Sequence, residues 1–119
     1  MSGVNRVTLS ELFEILSHSR RRFVLNYLER TDGSAMTDVL AEEIAVRERA
    51  DSSETSGEPA VSDIELALHH THLPKLDEAG LVTYESSTNR LEAGEQSLWE
   101  LSVDELLRRE RDRMLETTG

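Results

Sequence analysis

Three histidines crowd one stretch of the chain, His69, His70 and His72, with Thr71 among them and Lys75 just beyond. On a helix, His69 and His72 stand at i,i+3, so their two imidazoles could face one metal ion. Two ligands are not a site. His18 or a carboxylate would have to complete it, and the chain has no cysteine to supply a thiolate. The same residues can instead act as neutral hydrogen-bonding groups, either inside the structure or against bases and phosphates. As two ligands fall short of a site and there is no thiolate to add, the second use is favoured and no metal is expected. The sequence has no glycine-rich phosphate loop, no nucleophile elbow and no H-E-x-x-H helix. Its many carboxylates form no recognisable acid and base pair, and neither catalysis nor a cofactor is expected.

The segment that carries these residues reads as one long helix stopped by glycine and followed directly by a strand. Ser62 is a candidate cap, Asp63 and Glu65 complement the positive end of the helix dipole, and Gly80 supplies the stop. Ile64, Leu68, Thr71 and Leu76 with Ala79 trace one face, which Leu66 and Leu73 broaden. Pro74 lies inside the run. It lacks an N–H and its ring clashes with the carbonyl four residues back, which predicts a kink or loosened turn around His70 to Pro74. Leu81 to Tyr84 then switches to β-favouring residues. Ser86 to Thr88 reads as a turn, and Asn89 to Ala93 as a return strand with Leu91 and Ala93 on one face. Trp99 to Leu101 is an alternative return strand that needs a longer loop.

Upstream, Thr8 and Glu11 form a capping box for a helix carrying Leu9, Leu12, Phe13 and Leu16. Ser17 to Ser19 interrupts it, and a second helix is expected over Ser19 to Arg30 with Phe23, Val24, Tyr27 and Leu28 inward. Asp32-Gly33 closes that helix as a turn. Arg20, Arg21 and Arg22 at its start either pair with acids such as Glu14 and Glu29 or contact phosphate. Thr37 offers a cap for a third helix over Asp38 to Arg49, with Val39, Leu40, Ile44 and Val46 inward. Residues 50–60 are rich in Ser, Gly, Pro and acid, the composition of a mobile loop.

A chain of 119 residues suits one domain with one modest core, built from aliphatics because there are five aromatic residues. No apolar run is long enough to span a membrane, and the start lacks a signal-peptide layout, so a cytoplasmic protein is expected. The charge is −11, from 24 acidic and 13 basic residues, and Lys75 is the one lysine among twelve arginines. Such an acidic surface on a well-patterned amphipathic chain fits a high-salt cytoplasm, where screening tolerates the self-repulsion.

Leu73, Leu76, Ala79, Gly80, Leu81 and Val82 match the "L-x-x-L-x-x-A-G-L-V" passage in which a recognition helix runs into the first wing strand. The segment resembles the second half of a winged helix-turn-helix domain. Leu68 to Gly80 reads L-x-H-x-H-L-P-K-L-x-x-A-G, similar to small haloarchaeal winged-helix domains related to ArsR-type regulators. Leu16 to Leu28 is similar to the opening of ArsR-like domains, and Leu40 to Ala45 to their positioning helix. The resemblance covers residues 8–93 and implies a DNA-binding transcriptional regulator. His69, His70, Thr71 and Lys75 would then face DNA, with Arg20, Arg21 and Arg22 and the wing residue Arg90 on the phosphates. The 50–60 segment departs from the short turn usual in the family.

The expected fold is therefore mostly α with a small β-hairpin wing, a winged helix-turn-helix with an additional C-terminal helix. Residues 1–7 form a tail, 8–93 the domain and 94–119 the terminal element. A helix over Glu95 to Glu116 would present Leu98, Trp99, Leu101, Val103, Leu106, Leu107 and Met114 to a second copy, giving a homodimer. The partner is double-stranded DNA on this reading. The alternative is a module of the same fold that binds or dimerises with protein and does not bind DNA.

Overall fold

The computed structural model describes residues 7–51, 60–94, 107–112 and 115. Among the described residues as far as 94, five α-helices, one π-helical turn and three strands follow in the order α1 (Leu9–Leu16), α2 (Ser19–Arg30), β1 (Ser34–Met36), α3 (Thr37–Asp51), α4 (Val61–Ala67), the π-helical turn (Leu68–His72), α5 (Leu73–Glu78), β2 (Val82–Glu85) and β3 (Arg90–Ala93). The strands are antiparallel in the order β1-β3-β2. The fold is mostly α with a small sheet, a winged helix-turn-helix arrangement in which the β2–β3 hairpin is the wing. Residues 107–112 are helical, part of the C-terminal helix.

Local signals start several elements as the sequence leads one to expect. Thr8 accepts from the Glu11 amide while the Glu11 carboxylate accepts from the Thr8 amide, so both halves of the capping box form. At the end of α5, the Leu81 amide donates to the Leu76 carbonyl and the Gly80 amide to the Asp77 carbonyl, with Gly80 at φ +80. That is a Schellman stop, and buried Leu76 and Leu81 supply its hydrophobic contact. Two expected caps take other roles. Ser62 lies inside α4, whose N-cap is Ala60 with no side-chain bond. Thr37 is the fully buried first residue of α3, and its hydroxyl donates to Glu65 Oε2 at 3.1 Å.

The core is aliphatic. Leu12 and Ile15 of α1, Val24, Leu25 and Leu28 of α2, and Leu40 and Ile44 of α3 close on Ile64, Leu68, Leu73 and Leu76, with Val82 and Leu91 from the sheet. In α3 the inward residues are Leu40, Ala41, Ile44 and Ala45, whereas Val39 and Val46, expected inside, are exposed. Two small alanines let α3 lie close against α4 and push the valines to the flanks. Phe13 is likewise 61 % exposed on α1, where Leu12 and Ile15 take the inner positions.

The short strand β1 has no β-like sequence and forms because β3 offers it an edge: Ser34, Ala35 and Met36 pair with Glu92, Leu91 and Arg90. Arg90 to Ala93 is the return strand, in register with β2 from Val82↔Ala93 to Glu85↔Arg90. α3 continues to Asp51, so the first two residues of the expected 50–60 loop are helical, and 52–59 lie outside the described residues. No helix among the described residues is long and apolar enough to cross a membrane.

Candidate nucleic-acid interface

The break expected near Pro74 is a π-turn. The Leu73 amide reaches back five residues to the Leu68 carbonyl, inserting one residue into an otherwise continuous α4–α5 rod. One extra residue turns everything after it back by about 100° relative to an unbroken α-helix. That rotation decides which residues face inward. In an unbroken helix Leu73 and Leu76 would lie well round from Ile64 and Leu68, and Thr71 and Lys75 would sit beside Ile64. With the π-turn, Ile64, Leu68, His72, Leu73 and Leu76 form one buried stripe, while His70, Thr71 and Lys75 share the outer side. Burying two further leucines, Leu73 and Leu76, at roughly 1.5–3 kcal/mol each outweighs the poorer bonding of one turn. It also explains why Thr71, placed inward by α-helical periodicity, is exposed.

The histidines divide accordingly. His70 is exposed, His69 is half-buried and His72 is buried. His69 Nδ1 bonds the Tyr84 hydroxyl, and its Nε2 lies 3.8 Å from Glu65 Oε2. Thr37, Glu65, His69 and Tyr84 thus run as one polar string from the start of α3 across α4 to the wing. Burial, followed by the charge of Glu65, raises the Tyr84 pKa. A second tie, the Tyr84 amide donating to Asp77 Oδ2 at 2.9 Å, fixes the wing strand to α5. His72 turns the other way and accepts from Arg21 Nε through Nδ1 at 3.0 Å. His69 and His72 therefore do not face one ion. Among the described residues no three His, Asp or Glu side chains gather as a metal set.

The arginine run splits three ways. Arg21 is 2 % exposed, so its expected place on phosphate is corrected: it is a core residue holding α2 to the π-turn, with Glu14 Oε2 3.9 Å away. Arg20 forms a two-pronged pair with Glu48 of α3, Nε to Oε2 at 2.7 Å and Nη2 to Oε1 at 3.0 Å. That hydrogen bond holds its pKa above the ordinary value against the effect of burial. Arg22 is exposed and donates to the Leu16 carbonyl. Glu14, one of the two acids expected to pair with the run, also lies 3.8 Å from Lys75 Nζ. Arg90 sits on the exposed face of the wing, its Nε 3.1 Å from Glu92.

Four of the eight residues expected at DNA, His70, Thr71, Lys75 and Arg90, are exposed on the rod and the wing. A fifth, Arg22, is exposed at the start of α2. Sequence reasoning missed Asp77 and Thr37 as the residues that lock the wing and the rod in place. Of the residues expected at a dimer interface, Leu107 is exposed, and Leu98, Trp99, Leu101, Val103, Leu106 and Met114 lie outside the described residues.

A family model described as a domain of unknown function, DUF7344, matches residues 13–92. The chain belongs to this family. The DUF7344 match takes in α2, α3, the rod with its π-turn, β2 and nearly all of β3, so His70, Thr71, Lys75 and Arg90 fall inside it. No curated protein and no solved structure matches the chain.

Proposed function

We propose that this DUF7344 protein is a sequence-specific DNA-binding transcriptional regulator of the ArsR-like winged-helix kind. It would act as a homodimer in the cytoplasm of a salt-adapted archaeon. The observation that carries the reading is the π-turn, after which His70, Thr71 and Lys75 are exposed on the rod while His69 and Asp77 tie it to the wing. An imidazole, a hydroxyl and an ammonium offer hydrogen bonds to base edges and one phosphate-directed cation. Electrostatics on the rod also help. Of its four acids, Glu65 is tied to Thr37 and Asp77 to the Tyr84 amide, which holds both against the body of the domain. Screening at multimolar salt weakens the remaining repulsion. In a symmetric dimer two rods would enter successive major grooves about 34 Å apart.

A second reading, a protein-binding module of the same fold, draws on the exposed apolar residues Leu66 and Val46, 57 % and 58 % accessible, and on the internal pairing of Arg20 and Arg21. Genome-wide occupancy of the tagged protein in its native salty cytoplasm separates the two. Discrete peaks sharing a two-fold motif, lost in His70→Ala and weakened in Lys75→Gln while the variants stay folded, support the regulator. A flat profile at verified expression overturns it and favours the module.

A further inference from the structure

Between α2 and α3, apart from the rod and wing residues on which the proposed function rests, lies a groove of about 410 Å³. Arg20, Arg22 and Arg30 line it from α2 and Arg47 from α3, with Glu48 and Asp51 as the acids on its wall. Four guanidiniums against two carboxylates make this a locally positive site on a chain whose formal charge is −11. We propose that the groove binds a small phosphorylated ligand, a compound with two or more linked phosphates and an attached ring.

The availability of the arginines supports this. Arg20 and Glu48 form a partly buried strut, each about one quarter exposed, that shapes the wall and stays in place. Arg47 is different: its pair with Asp51 is long, at 3.4 Å, and both side chains are about two-thirds exposed. Exposed pairs of this kind contribute little, so Arg47 is able to leave Asp51 for a stronger anion. Arg30 makes no ion pair with another described residue. Arg22 keeps donors to spare beyond the one given to Leu16. Three guanidinium forks of one groove suit the paired acceptor oxygens of linked phosphates.

The remaining lining suits the rest of such a ligand. Ile44 and the half-buried Phe23 ring form an apolar floor, on which a flat ring can stack. Asn26 offers an amide and Ser19 a hydroxyl at the first turn of the 12-residue α2, where the helix dipole favours negative charge. The site also adjoins the α4–α5 rod. Arg20 and Arg22 line the groove, while Arg21 between them bonds His72 in the π-turn. Occupancy of the groove is thereby positioned to bias the outer face of the rod.

Titration of the full chain with inorganic pyrophosphate and with adenosine triphosphate by calorimetry, in potassium chloride from 0.2 to about 2 M, tests the assignment. The expected result is saturable binding at one site. It should weaken at least about fivefold in Arg30→Gln and in Arg47→Gln, surface changes that leave the fold intact, and remain unchanged in Arg90→Gln. Triphosphate should bind more tightly than pyrophosphate in the wild type and lose that advantage in Phe23→Leu. Absence of saturable binding overturns the proposal, and so does equal weakening by Arg90→Gln, which would indicate general attraction to arginine. Competition by duplex DNA with the same dependence on Arg30 and Arg47 also overturns it and makes the groove part of a DNA surface. The DNA reading itself is judged by His70 and Lys75, so the two stand or fall separately.

Discussion

Stability should fall on mild acidification because of one buried imidazole. His72 accepts a hydrogen bond from the Arg21 guanidinium, so Nδ1 is a lone-pair acceptor and the folded protein holds the ring neutral. Burial is the largest cause that pushes its pKa down to about 4, followed by the charges of Arg21, His18 and Arg20, with Glu48 opposing. The His18 ring faces it at a centroid distance of 5.6 Å. In the unfolded chain the ordinary value near 6.5 returns. Between those two values the unfolded state binds more protons, so stability is full above pH 6.5 and is lost as pH falls toward 4. The complete shift corresponds to about 3 kcal/mol, and the step from pH 8 to 5.5 alone to about 1.4 kcal/mol. For a domain of this size that step lowers Tm by about 4–7 °C. Urea unfolding followed by circular dichroism at pH 8, 6.5 and 5.5 in 2 M potassium chloride reads it, with His72→Asn as reference. Asn retains an acceptor near Nδ1 and cannot be protonated, so other titrating groups cancel in the difference. A wild-type loss no greater than that of His72→Asn would refute the reasoning. Arg21→Met should raise the His72 pKa without returning it to 6.5, because burial remains.

Further outcomes follow from other close contacts. A Cβ at Gly94 would meet the Leu81 carbonyl carbon and the Val82 nitrogen at 2.8 Å each, and both are backbone. Gly94→Ala must therefore displace the end of the wing and its amide bond to Leu81, lowering stability by about 1–3 kcal/mol in thermal melts, and an unchanged Tm would contradict the packing. Thr37→Val keeps the buried shape but removes the bond to Glu65, so a loss of about 1–2 kcal/mol is expected in urea melts, and it should vanish in a Glu65→Ala background. Deleting Thr71 together with Pro74→Ala should convert the rod to an unbroken α-helix that keeps its buried stripe. That variant is expected to remain folded by heteronuclear NMR while losing any DNA binding, and an unfolded spectrum would refute the stripe argument.

The order of helices and wing was legible because capping boxes, glycine stops and apolar spacing act locally. Thr8 with Glu11 and Gly80 after Ala79 specify their ends with no help from distant residues. The strand β1 was illegible for the opposite reason: Ser-Ala-Met has no preference of its own and takes its conformation from Leu91 and its neighbours on β3. Val39 and Val46 misled because hydrophobicity was weighed without size, and close helix packing selects Ala41 and Ala45 over larger residues. Pro74 announced a disturbance but not its kind. A kink and a π-turn both relieve a proline, and only the requirement to bury Ile64, Leu68, Leu73 and Leu76 together decides between them.

The Arg21–His72 contact was more legible than the arginine run suggested. Arg21 stands three, four and seven residues before Val24, Leu25 and Leu28, so it occupies the apolar stripe of α2, whereas Arg20 and Arg22 flank it. His72 follows Leu68 by four residues and occupies the stripe of the rod in the same way. A charged donor and an acceptor, each fixed by its own helix on a face that must be buried, have strong reason to meet, since either one alone would be left unsatisfied away from water. The pairing specifies more than stability. It requires α2 to lie against the π-turn in one register, and that register sets both the outward turn of His70, Thr71 and Lys75 and the opening of the groove beside Arg20 and Arg22. Reading the run Arg20 to Arg22 as a single basic patch hides this division, because adjacent residues on a helix point about 100° apart and three neighbours serve three different surfaces.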